Sequence, residues 1–312
     1  MIHNPSATMT IKRPALTFVC LLAISASARA QDLEPKAYSA SPVGAAFLVL
    51  GLSRSTGSVL TDPTLPLTDV EATISGAPLA GGLTFGLFGK LALVTAALPY
   101  AWGTVTGRVG DDAGKVARSG LADARAKLSV NLVGNPAMGL RAFVKAPRKT
   151  IVGTSVVVSA PTGQYDGAKL INLGTNRWAF KPEVGVAVPK GRWDFDAYIG
   201  VWLFTNNGDF YPGGRLRSQN RVAALQGHAS YTFKPRLWAA VDATWYQGGA
   251  ASVDVAEPSG EMNNSRLGAT VSFPLGRQQS FKVAYSSGVA VRTGTNFRTI
   301  SVGWQLLRFT RQ

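Results

Sequence analysis

The sequence predicts an all-β fold: a transmembrane antiparallel up-and-down β-barrel of about 12 strands behind a cleaved signal peptide. Three observations predict it. The stretch ADARAKLSVNL alternates strictly, with Ala122, Ala124, Ala126, Leu128, Val130 and Leu132 on one face of an extended chain and Asp123, Arg125, Lys127, Ser129 and Asn131 on the other. Similar alternation returns every ~20 to 30 residues, bounded each time by Gly, Pro, Asn or Asp. Finally, the chain carries an export signal, yet beyond it no apolar run reaches the ~18 residues of a membrane helix. Barrels distribute their hydrophobicity over alternate residues instead.

The signal occupies residues 1–30: Lys12 and Arg13, an apolar run from Ala15 to Ile24, then Ala28-Arg29-Ala30 as the cleavage site. The mature chain is expected to begin at Gln31. Cys20, the one cysteine, lies in the signal, so the mature chain forms no disulfide. Loss of Lys12, Arg13 and Arg29 lowers the formal charge by three, from +15 to +12. An exported chain without a long basic run is not expected to bind nucleic acid, and its positive charge belongs to solvated and lumenal positions. Outer-membrane lipid and a small-molecule solute are the expected partners.

In order, residues 31–42 form a periplasmic lead and 43–312 the barrel. Strand one, 43–54, is apolar on both faces. A loop at 57–68 with Asp62-Pro63 precedes strand two, 70–85; the turn 86–89 precedes strand three, 90–102; and a loop spans 103–119. Strand four is the alternating stretch 122–132. The connection 135–149 carries Arg141, Lys145, Arg148 and Lys149 beside Leu140, Phe143 and Val144, and reads either as a short amphipathic helix at the membrane surface or as a solvated turn. Strand five is 151–160, strand six 177–188 and strand seven 193–203, the last two joined by the tight turn 189–192. Strand eight, 225–233, turns through Lys234-Pro235-Arg236 into strand nine, 237–246; strands ten, eleven and twelve follow at 266–273, 281–291 and 299–306. Connections after even strands are mostly short and those after odd strands long, as in bacterial barrels with short periplasmic turns and long outer loops. Trp193, Phe195, Tyr231, Phe233, Phe273 and Phe281 stand beside the short turns, and Tyr100, Trp178, Phe180 and Trp245 beside the long loops, as two interfacial girdles require.

The segments Asn172-Leu-Gly-Thr-Asn-Arg-Trp-Ala-Phe-Lys-Pro-Glu183, Gly200-Val-Trp-Leu-Phe-Thr205, Leu225-Gln-Gly-His228, Asp242-Ala-Thr-Trp-Tyr246 and Arg266-Leu-Gly-Ala-Thr270 resemble the MetA-pathway of phenol degradation family of outer-membrane transporter-like proteins. The resemblance extends over most of residues 32–306. It implies a membrane barrel and, through the family name, traffic in aromatic compounds; it brings no catalytic residues. Members end on an aromatic residue, whereas here Phe309 stands three residues before the end, which leaves the register of the last strand open.

The inward set is Asp123, Arg125, Lys127, Arg177, Lys181, Glu183, Asp194, Asp196, His228, Asp242, Arg266 and Lys282. In a narrow barrel such charges pair and hold the wall; in an open one they set ionic selectivity. His228 is the one histidine of the mature chain, so neither a metal centre nor a cofactor is expected. A turn centred on Pro235 pairs His228 with Asp242 across strands eight and nine. That pair is half of a hydrolytic triad, with Ser230 or Thr244 on the same face as the nucleophile. The expected function is passage of small, hydrophobic or aromatic molecules without chemistry. An outer-membrane hydrolase using His228 and an adhesive barrel with partner-binding outer loops are the alternatives.

Overall fold

The structure is a computed structural model that describes residues 34–60, 67–109 and 112–309. The expected signal sequence and its cleavage site lie outside the described residues. Antiparallel neighbours follow one another around a closed wall: β1 (Ala45–Leu60), β2 (Leu67–Leu87), β3 (Lys90–Val109), β4 (Asp112–Leu121), β5 (Arg125–Val133), β6 (Ile151–Ser159), β7 (Ala179–Lys190) and β8 (Trp193–Phe204). Two short strands, β9 (Asn207–Phe210) and β10 (Arg215–Gln219), then leave the wall. It resumes with β11 (Val222–Lys234) and β12 (Leu237–Gly248), and after the short β13 (Ala251–Val253) with β14 (Met262–Leu275), β15 (Gln279–Ala290) and β16 (Gly294–Phe309). β4 and β5 pair with the two ends of β3, so they are halves of one wall strand and the barrel has twelve. β16 pairs with β1 from Ala45↔Phe309 to Leu60↔Gly294, which closes the barrel and fixes the register of the last strand.

Why these segments face as they do follows from the pleat. Leu48, Leu50 and Leu52 on β1, Leu128 on β5, Val184 and Val188 on β7, Ile199 on β8 and Val241 on β12 are all exposed, while their sequence neighbours point inward. An apolar belt of this extent has no place in water and marks a lipid-facing surface. Aromatic pairs edge it: Trp193 stacks on Phe195 and Phe273 lies against Phe281 at the short-turn end, and Trp178 stacks on Phe180 at the other. The protein is thus a membrane barrel of the outer-membrane kind.

Three expectations need correction. The described parts of the loops placed at 57–68 and 103–119 are strand, because β1 runs to Leu60, β2 starts at Leu67, β3 runs to Val109 and β4 starts at Asp112, and β2 and β3 reach 21 and 20 residues. At ~3.4 Å per residue they are far longer than the ~25 Å apolar band requires, and they rise beyond it. Gly57, which reads as a turn signal, lies in β1 at φ +150°, where a side chain would meet the Asn296 carbonyl oxygen at 2.2 Å. The most regular-looking stretch, 122–132, contains the break between β4 and β5 at residues 122–124. The loops at 206–220 and 248–264 carry β9, β10 and β13, which form their own three-stranded sheet at the long-loop end. The basic connection 135–149 holds a single helical turn, α1 (Leu140–Phe143), with Leu140 and Val144 exposed beside Arg141 and Lys145.

Candidate functional site in the barrel lumen

Of the lead, expected in the periplasm, the described residues Glu34 and Lys36 to Tyr38 reach side chains of the lumen. The Lys36 ammonium meets the Asp194 carboxylate, which also receives Arg148, and the Lys36 backbone N–H donates to Asp196 at 3.3 Å. The Ala37 N–H donates to the Tyr198 hydroxyl at 3.1 Å. Tyr38 is 1% exposed and donates to Glu183 Oε1 at 3.1 Å, with Ser155 Oγ 2.9 Å away. Burial pushes its phenol up to about 12, so it stays a donor at neutral pH. The seat is made by Gly153 and Gly185, cross-strand partners on β6 and β7: a Cβ at either would lie 2.3 Å from the Tyr38 ring. The charged and aromatic lead residues reach buried partners more than 100 positions away, and this outweighs their solvation in the periplasm.

Glu34, at the head of the described lead, accepts from Lys127 Nζ at 2.7 Å. Lys127, with Lys181 and Lys282 adding, holds its carboxyl down at about 2 against the opposing effect of burial.

The residues expected to point inward fall into separate groups in the structure. Lys127, Lys181 and Glu183 form one cluster: Glu183 lies 3.0 Å from Lys181 and 3.9 Å from Lys127, and Gln226 donates to its other face at 3.4 Å. The Lys181 ammonium also sits 5.4 Å over the Trp202 ring. Asp194 and Asp196 hold the lead. His228 and Asp242 are paired across β11 and β12 as expected, with Nδ1 2.7 Å from Asp242 Oδ1 and the Thr270 hydroxyl donating to Oδ2 at 2.8 Å. His228 Nε2, Ser230 Oγ and Thr244 Oγ1 have no hydrogen-bond partner among the described residues. Lys282 lies 5.6 Å over Trp238. Higher up, Arg177 stacks on Phe204 and donates to Gln219, while Arg266 donates to Ser286 and to the Phe297 carbonyl.

Asp123 is set apart, because its carboxylate accepts from the Gly163 N–H, the Thr175 N–H and the Thr175 hydroxyl, at 3.0, 3.0 and 2.6 Å. This tie draws 122–124 out of the ladder. Ala122 N–H donates to Pro99 O, Ala124 N–H to Thr162 Oγ1, and Ala160 N–H to Ala124 O. Beyond the break β4 pairs with β3 on one edge; no strand pairs with its other edge among the described residues, where Gln164 N–H reaches Leu121 O and Arg118 reaches Ile171 O.

Beside the break lies a cavity of about 350 Å³. Pro78, Ala97 and Pro99 from β2 and β3 line it, together with Arg125 and Lys127 from the neighbouring β5, Lys181, Trp202 and Glu34. Its volume falls within the ~300 to 1,000 Å³ of small-molecule sites. Neither Glu34, Tyr38, Tyr198 nor Trp202 is singled out by alternation alone, since the lead has no strand pattern and an inward aromatic differs from an outward one only in parity. The paired glycines at 153 and 185 are the one trace in the sequence of the Tyr38 seat.

Among solved structures, the COG4313 outer membrane channel from Pseudomonas putida F1 is similar, with a TM-score of 0.74 at 18% identity, covering 89% of this chain and 100% of that one. The transport unit of the autotransporter AIDA-I from Escherichia coli (TM-score 0.48, 9% identity, 86% of this chain, 90% of that one) shows a more distant likeness. So does the β domain of the Bordetella autotransporter BrkA (TM-score 0.49, 13% identity, 85% and 99%). No curated protein matches in sequence. Residues 82–305 match the family described as "Putative MetA-pathway of phenol degradation", and the chain belongs to that family.

Proposed function

We propose that this barrel is a channel through which small, largely apolar molecules, aromatic ones included, pass without chemical change. The observation that carries the reading is the cavity at the break in the fourth wall strand, bounded by Pro78, Ala97, Pro99 and Trp202 and lying where β4 has one edge without a strand partner among the described residues. A continuous wall would give such a molecule no place to rest; here the ladder is given up at three residues and the polar backbone is satisfied by a loop. The family's name and the likeness to an outer membrane channel point the same way.

Among the described residues the geometry gives the hydrolytic alternative no activated nucleophile. The His228 and Asp242 side chains are fully buried, and no hydroxyl is hydrogen-bonded to Nε2 among the described residues. The pair joins two wall strands, which supports reading it as a structural hydrogen bond.

The test is uptake into proteoliposomes of benzyl alcohol, a disaccharide and an organic anion. Benzyl alcohol is expected to enter faster than into empty liposomes, the disaccharide is not, and His228→Ala should leave the rate within about twofold. A general base would instead cost ~10²-fold or more in ester cleavage on the same substitution. Failure of every solute to enter, with the barrel folded, sinks the channel reading.

A further inference from the structure

We propose that the cavity is a binding site for small carboxylates with an apolar or aromatic body, and that Glu34 occupies the carboxylate position from within the chain. The proposal rests on the cavity being the solute's resting place, and adds the class of solute.

The charges around this one volume decide which solute fits it. Arg125, Lys127 and Lys181 face it, and the facing acids are Asp123, Glu183 and Glu34. The Asp123 carboxylate is taken up by hydrogen bonds from Thr175 and the Gly163 N–H, and no ion pair joins it to Lys127 among the described residues. Glu183 sits 3.0 Å from Lys181 but 3.9 Å from Lys127, and it also accepts from Tyr38 and Gln226. Among the described residues the one acceptor hydrogen-bonded to Lys127 is therefore Glu34, at 2.7 Å.

The two ends of that contact differ. The Lys127 side chain is 12% exposed, fixed in the wall; Glu34 is 54% exposed and stands in the open volume. The lead is held by Lys36, Ala37 and Tyr38, two to four residues further on, so Glu34 can withdraw while Tyr38 keeps its seat between Gly153 and Gly185. What remains is an ammonium at the foot of a cavity walled by Pro78, Ala97, Pro99 and the Trp202 ring. A carboxylate on a flat apolar body satisfies both parts; a neutral aromatic satisfies only the walls, and a cation is repelled.

Equilibrium dialysis of radiolabelled benzoate and benzyl alcohol against the purified full-length barrel in detergent, corrected for empty micelles, tests this directly. Glu34→Gln removes the internal competitor and is expected to tighten benzoate binding about tenfold or more, the scale of one charge-assisted hydrogen bond, without changing benzyl alcohol. Adding Lys127→Gln should abolish the gain, and Lys127→Arg, which keeps the charge and guards against a folding defect, should restore most of it. Equal binding of benzoate and benzyl alcohol by Glu34→Gln overturns the proposal, as does benzoate affinity that survives Lys127→Gln or is absent from every variant. The measurement does not depend on transport: a barrel that passes benzyl alcohol but shows no benzoate preference loses only the carboxylate site, and one that binds benzoate but passes nothing loses only the channel.

Discussion

The inward faces of β1, β2, β3 and β16 carry no charged side chain among the described residues, whereas those of β5 to β8, β11, β12, β14 and β15 carry nearly every predicted lumenal charge. Both arcs belong to one continuous sheet and face the same lumen. On the first, Pro78, Ala97 and Pro99 leave open space. On the second, Lys181, Glu183, His228, Asp242 and Arg266 are buried and each finds a partner. The difference shows that the charges are not a general lining for water. They are confined to the arc that holds the lead, where they meet an opposite charge, as Lys181 meets Glu183, or a neutral polar or aromatic neighbour, as Arg266 meets Ser286 and Lys282 the Trp238 ring, and the cavity lies along the seam.

The largest expected effect comes from breaking a pair on the charged arc. Glu183→Leu leaves Lys181 buried and deprives Tyr38 of its acceptor, and should cost about 3 to 5 kcal/mol in urea unfolding from phospholipid vesicles. Thr95→Val, on the uncharged arc, should stay within about 1 kcal/mol. Comparable losses at the two sites would mean that the arcs are not energetically distinct.

A smaller effect is expected at the seat of the lead. Gly153→Val forces the Tyr38 ring out and should cost about 1 to 3 kcal/mol, with trypsin now cutting after Lys36. Gly227→Val, where a Cβ would meet nothing within 4 Å, should leave both stability and cleavage unchanged. Protection of Lys36 in Gly153→Val would show that Tyr38 does not hold the lead.

The smallest effect concerns pH. Glu34 is held at about 2 against an ordinary value of 4.5, so its contribution to docking is fully present above 4.5 and is lost as pH falls through about 2. A 13C-carboxyl label on Glu34, identified by the signal that Glu34→Gln loses, should therefore stay ionised from pH 7 to pH 4 and take up its proton only toward pH 2. Protonation near pH 4.5 would show that Lys127 does not hold the carboxylate.

Much of this barrel is legible residue by residue. Leu128 faces lipid and Lys127 the lumen because the pleat leaves no other choice, and the Pro235-Arg236 turn sets His228 opposite Asp242. The break at 122–124 is not legible, although its residues alternate as well as any in the chain. What removes them from the ladder is the demand of the Gly163 and Thr175 donors for the Asp123 carboxylate, 40 and 52 positions away. The ends of β2 and β3 were obscured for a related reason: glycines that signal turns can equally serve close approach between strands.

The sequence by itself determined an antiparallel barrel of about twelve strands, the alternation of its faces and its aromatic girdles, because each depends on a period of two and on turns only a few residues long. Only the tertiary structure decided that the lead lies inside the lumen, that the charges keep to one arc, and that a cavity opens beside the broken strand. Those features depend on contacts across the closed barrel, such as Tyr38 with Glu183 and Glu34 with Lys127, 145 and 93 positions apart. Local periodicity carries no record of which distant side chains closure brings together.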